Sequence, residues 1–329
     1  MRHQMSFVER HGRGKYLALV ALAFLFLNGD PASAQLKKVR LSAPTVAITE
    51  LPFKIAQHQG FYREQGLDVE IVVIRGAIGV TALVAGSVDY STASGSIIVA
   101  AARGLGVKLV YLISSKPAFD LVAEPRIRSI GQLRGKTVGI SSRGGSVDLL
   151  TRLMLEKNGV NPDKDLVLLV VGTQEEMMIA LRAGRISAAL LSPPRQLMLY
   201  REGFQNLGFS GDYLSTYMTG GIGVTSEKIK SSPDEVLAFV KGSLKGVEFY
   251  KKNRNQAIAM IAKELRISDP VLARQVYDLH AGRLSRNGME DASWIQGAIE
   301  FTKKSLGMAD KNVPADQVFD FSFIEKALR

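Results

Sequence analysis

The sequence predicts an α/β protein of two Rossmann-like lobes, on three observations. From residue 39, short β-branched runs alternate with amphipathic segments, the pattern of βαβ units on a parallel sheet. The series restarts at Thr137. Ala82-Leu83-Val84-Ala85-Gly86-Ser87-Val88 then matches Ala180-Leu181-Arg182-Ala183-Gly184-Arg185-Ile186 at an offset of 98 residues, which also pairs Leu51 with Leu149, Val73 with Val171 and Ser94 with Ser192.

Taken in order, the first copy places strands at 39–43, 69–74, 88–92 and 108–113, with helices at 51–65, 78–85 and 97–103. The second places strands at 137–141, 166–171 and 188–191, with helices at 149–158 and 175–183. Beyond about residue 230 the pattern is helical. Ser232-Pro233-Asp234-Glu235 reads as a capping box with Pro at the first helical position, opening an apolar face of Val236, Phe239, Val240, Val247 and Tyr250. Asp269-Pro270 opens another helix, and 292–306 and 322–328 supply two more. These short amphipathic helices need an α/β surface to cover. Apolar segments 121–123 and 222–225 read as paired hinge connections. They set lobe one at 35–124 plus 222–329 and lobe two at 125–221.

The first 34 residues set the expected compartment. Arg2, Arg10, Arg13 and Lys15 precede a 12-residue apolar run from Tyr16 to Leu27, and Ala32-Ser33-Ala34 follows as an A-x-A cleavage site. This is the order of a secretory signal peptide, and the run is short of the ~20 residues that span a bilayer. Cleavage leaves 295 residues beginning at Gln35, enough for two lobes. The formal charge of +11 falls to about +9, its cations dispersed and without the basic-aromatic clusters of nucleic-acid binding.

Zero cysteines exclude disulfides, Cys-bound zinc, iron–sulfur clusters and a thiol nucleophile. Gly131 to Thr137 imitates a phosphate loop, but it has three residues between its glycines where four are needed, and it precedes a strand. Only His58 and His280 remain after processing, far apart in sequence, so neither a metal nor a cofactor is expected.

In open α/β sheets ligands sit beyond the carboxyl ends of the strands. That rule selects the turns 44–49, 75–79, 93–96, 142–146 with Asp148, and 192–196. The candidate binding residues are Thr45, Ala47, Arg75, Gly76, Ser94, Gly95, Ser96, Ser142, Arg143, Gly144, Gly145, Ser146, Ser192 and Pro193. The glycines of Ser141-Ser142-Arg143-Gly144-Gly145-Ser146 allow close backbone approach, and free N–H groups at the following helix start attract an anion or carbonyl. Arg75, Arg143 and Arg195 offer guanidinium groups suited to carboxylate or sulfonate, with Arg143 the foremost candidate clamp.

Residues 38–327 resemble the nitrate/sulfonate/taurine-type solute-binding proteins, the SsuA/THI5-like (NMT1) group. The resemblance is carried by Leu51-Pro52-Phe53-Lys54-Ile55-Ala56-Gln57-His58-Gln59-Gly60-Phe61-Tyr62, Glu64-Gln65-Gly66-Leu67-Asp68-Val69-Glu70, Ala82 to Tyr90, Leu133 to Gly139, and Leu191-Ser192-Pro193-Pro194. It implies a type II periplasmic-binding fold that closes like a flytrap on a small solute, anions included, without catalysis. It also implies a monomer that delivers the solute to an ABC permease and its ATPase at the inner membrane. An exported module feeding a sensor is the alternative. A thiamine-pyrimidine-synthase-like enzyme, which the resemblance also brings in, would carry a Cys-rich iron motif that this chain lacks.

Overall fold

The computed structural model describes residues 35–329, and the expected signal peptide, 1–34, lies outside the described residues. Strand β1 (Lys37–Ala43) pairs in parallel with β2 (Leu67–Val73) on one side and β3 (Tyr90–Ser91) on the other. β4 (Val107–Leu112) closes the sheet through an antiparallel strand, β10 (Gly221–Thr225), giving the order β2-β1-β3-β10-β4. The second sheet uses β5 (Asp120–Ala123), β6 (Thr137–Ile140), β7 (Val167–Val170), β8 (Ala188–Leu191) and β9 (Gln205–Phe209) in the order β7-β6-β8-β5-β9. Moving β2, β1, β3 and β4 by 98 residues carries them onto β7, β6, β8 and β9, and β10 and β5 hold the remaining, equivalent place in each order. In each sheet the antiparallel strand is the one that has just arrived from the other lobe.

Those arriving strands correct an expectation. Segments 121–123 and 222–225 are central strands, not connections, and Leu121, Val122 and Ala123 are fully buried. The chain therefore leaves the first lobe between β4 and β5, within 113–119, a strand earlier than the expected boundary at 124. A short apolar run beside prolines has one sequence signature whether it links lobes or fills a sheet.

The helices of the first copy are α1 (Leu51–His58), entered through the 3-10 turn Ile48–Glu50, α2 (Gly76–Val84) and α3 (Ser94–Ala102). The second copy holds α4 (Ser146–Lys157), α5 (Gln174–Arg182) and α6 (Arg195–Arg201). α1 stops seven residues before the predicted end, because Gly60 at φ +78° turns the chain out of helix. At α5, Thr173 Oγ1 accepts from Glu176 N–H at 3.2 Å while the Glu176 carboxylate accepts from Thr173 N–H at 2.5 Å, a full capping box.

The C-terminal region comprises α7 (Ser226–Ser231), α8 (Pro233–Lys252), α9 (Arg254–Glu264), α10 (Pro270–Ala281), α11 (Ala292–Ser305), α12 (Ala315–Val318) and α13 (Ser322–Ala327). α8 covers the first sheet and lies against α1 so closely that a Cβ on Gly246 would fall 2.3 Å from the Pro52 carbonyl. Phe239 stacks on Tyr90 at 3.9 Å and on Tyr62 at 5.1 Å within this core. The expected capping box at Ser232 is absent: its side chain makes no cap bond. Glu235 instead accepts from Tyr90 Oη at 3.0 Å and pairs with Lys37 and Lys228. Burial decides this, since a largely buried carboxylate gains more from cations than from one backbone N–H. Among the described residues no helix is long and apolar enough to cross a membrane.

Candidate functional site

The strand-end turns of both sheets enclose a cavity of about 100 Å³ between the lobes. From the first lobe the turn after β1 contributes Thr45, the turn after β2 contributes Arg75 and Gly76, and the start of α3 contributes Ser94, Gly95 and Ser96. From the second, the turn after β6 contributes Ser142, Gly145 and Ser146, and the turn after β8 contributes Ser192 and Pro193.

Three expected residues lie elsewhere. Ala47 is buried beside the cavity wall without lining it. Arg143 and Gly144 face a separate groove formed with Ala77, Val80, Val84 and Leu105. Gly144 adopts φ +71°, its N–H goes to the Asp148 carboxylate at 2.8 Å, and Arg143 Nη2 donates to the Leu168 carbonyl at 2.8 Å. The left-handed turn at Gly144 thus directs Arg143 along β7 and away from the cavity it was expected to clamp.

The lobes touch across the cavity through backbone. A Cβ on Gly95 would fall 2.0 Å from Ser146 Oγ and 2.7 Å from Ser146 N, and one on Gly76 would fall 2.7 Å from Ser142 Oγ. Arg195 spans the gap as well. Its Nη2 donates to the Val46 carbonyl at 2.7 Å and its Nε to Glu175 at 3.2 Å. The amino ends of α2, α3, α4 and α5 therefore converge on one space, each bringing the positive end of a helix dipole.

Several cavity residues carry no sequence mark. Glu50, 3 % exposed, accepts from Thr92 Oγ1 at 2.8 Å and from Thr49 Oγ1 at 3.4 Å. Burial pushes its carboxyl up to about 8, against the opposing pull of those hydroxyls and of Lys54, so it is mostly neutral at pH 7. His280 lines the cavity with Nδ1 3.1 Å from Tyr250 Oη, and burial holds its pKa down to about 3. Arg283, on the same wall, lies 4.6 Å above the Phe209 ring. Glu50 follows directly on the predicted 44–49 turn and was within reach of that rule. His280 and Arg283 come from a helix end that pattern assigns only to covering the sheet.

The polar character of the cavity follows. Arg75 and Arg283 line it, with the Glu176 carboxylate near the first and Asp120 near the second, Glu50 and His280 are neutral, and the helix ends add partial positive charge. The space offers hydrogen-bond donors to the acceptor atoms of a solute.

Two α/β lobes exchanging one strand each, with strand-end turns of both around a shared cavity, define the type II periplasmic-binding fold. The chain belongs to the NMT1/THI5-like family, whose profile matches residues 49–257. It is 26% identical over 264 residues to the riboflavin-binding protein RibY of Chloroflexus aurantiacus, covering 76% of this chain and 72% of that protein. Among solved structures, a protein of Bordetella bronchiseptica RB50 aligns with a TM-score of 0.77 at 21% identity, over 88% of this chain and 96% of that one. A putative sulfonate ABC transporter component, the periplasmic sulfonate-binding protein SsuA of Methylobacillus flagellatus KT, aligns with a TM-score of 0.64 at 20% identity, over 89% and 94%.

Proposed function

We propose that this chain is the exported solute-binding component of an ABC importer, holding a small acceptor-rich or anionic solute between its lobes and passing it to a membrane permease. The convergence of four helix amino ends, two from each lobe, on one cavity carries this reading. A solute there contacts both lobes only when they are together, so its affinity for the closed form drives closure. The lobes run from 35 to about 113 with 221–329, and from about 120 to 209. The protein acts as a monomer in the periplasm, residues 1–34 having been removed on export.

Capture without chemistry fits the two serines at equivalent places in the lobes, Ser94 and Ser192. Ser94 Oγ accepts from Gly220 N–H at 3.1 Å, and Ser192 Oγ donates to the Gln174 side-chain oxygen at 2.9 Å. Neither is bonded to a base that would activate it. RibY and SsuA are named for different solutes, a flavin and sulfonates, so family membership leaves the ligand open and the cavity chemistry selects among candidates.

A thermal-shift screen of sulfonates, carboxylates and heterocycles on the mature chain tests the reading. A solute at ~100 times its dissociation constant adds about 2.7 kcal/mol of stability and raises Tm by several degrees. No shift with any member of the panel counts against solute capture.

A further inference from the structure

One buried side-chain nitrogen in the cavity wall has no hydrogen-bond partner among the described residues. His280, at the carboxyl end of α10, is 3 % exposed and lines the cavity. Its Nδ1 lies 3.1 Å from Tyr250 Oη, while Nε2 is buried with no hydrogen-bond partner among the described residues. Packing does not require such an atom. The ring meets Tyr250 edge-on at 5.3 Å, a contact that an apolar aromatic would make equally well.

The neighbours point to one position for the proton. Tyr250 has one hydroxyl proton to place, and His280 Nδ1 is the acceptor beside it. Tyr277 directs its hydroxyl at the Tyr250 backbone carbonyl, 3.2 Å away, and makes no bond to the Tyr250 hydroxyl. With Nδ1 accepting, the single proton of the neutral ring resides on Nε2. The ring stays neutral because burial and the nearby Arg283 charge both oppose protonation.

We propose that His280 is a specificity-determining residue whose Nε2–H, beside Arg283, donates to an oxygen of the captured solute: a carbonyl, carboxylate or sulfonate. This rests on the reading that the cavity holds a solute. It adds a fixed donor from the C-terminal helices, which the strand-end turns do not supply. A buried donor that has no protein partner and pairs with a solute oxygen discriminates against solutes with no acceptor at that position.

Two measurements test it. In mature protein carrying ¹⁵N-histidine, only His58 and His280 report, and His58→Gln assigns them. The expected spectrum has the His280 proton on Nε2, unchanged from pH 5 to 8; a proton on Nδ1 overturns the assignment. Ethanesulfonate and riboflavin are then titrated into wild type, His280→Gln and His280→Leu. For a probe that binds wild type, the Leu variant loses about tenfold in affinity or more, while Gln, which keeps an N–H, stays within about threefold. Equal affinity in the Leu variant overturns the proposal. If neither probe binds wild type, that counts against the solute reading, and the tautomer in the free protein still decides the histidine.

Discussion

Glu50 shows how burial changes what a side chain offers. Its carboxyl titrates near 8 in the folded chain against an ordinary 4.5, so the native state holds one more proton than the unfolded chain between those pH values. Stability contributed by this group is full below about pH 4.5 and is lost as pH rises toward 8. Glu50→Gln keeps a hydrogen-bonding group and removes the ionisation. Wild type should therefore lose on the order of 3–4 kcal/mol relative to the Gln variant between pH 5 and 8, as denaturant titrations at each pH will read. Parallel curves for the two proteins would contradict the buried, neutral carboxyl. Nothing local in the sequence announces this, since a glutamate at a helix start ordinarily reads as a solvated first-turn acid. The same holds for His280, because tertiary burial, not spacing, places it in the wall. Arg143 fails in the opposite direction: a guanidinium beside two glycines has the sequence signature of an anion clamp, yet the φ of Gly144 turns it away.

The helices α3 and α4 meet end to end, Gly95 of one against Ser146 of the other. A hydroxyl can rotate aside, but the Ser146 backbone nitrogen, 2.7 Å from where a Cβ on residue 95 would lie, cannot. Gly95→Ala should therefore leave each lobe folded while holding the lobes apart. Solute affinity is expected to fall at least about tenfold, with a larger radius of gyration by small-angle scattering at saturating solute. Unchanged affinity and radius would mean that these helix ends do not meet in the bound form. Much at this scale is legible in the sequence, because both copies obey one period. α2 and α5 differ by 98 residues at both ends, and the same shift carries α3 near α6 and β4 near β9. Those last two elements leave little mark in the sequence: α6 is short and begins after two prolines, and β9 contains Gly208.

Across the whole molecule, the duplication is visible in the sequence and the exchange of strands is not. The offset fixes which residues are equivalent but not in which sheet a strand pairs. β5 and β10 settle that by crossing over, each inserted antiparallel among parallel neighbours. The exchange links the lobes twice and leaves their strand ends facing one another around the cavity, with α8 to α13 packed on the first lobe. Solute capture between those faces is tested most directly by a crystal structure of the mature chain grown with a solute identified by thermal shift. Difference density is expected within the cavity walled by Glu50, Ser94, Ser146 and His280, with both lobes in contact with it. Density confined to the groove beside Arg103 and Arg143, or to one lobe alone, would contradict it.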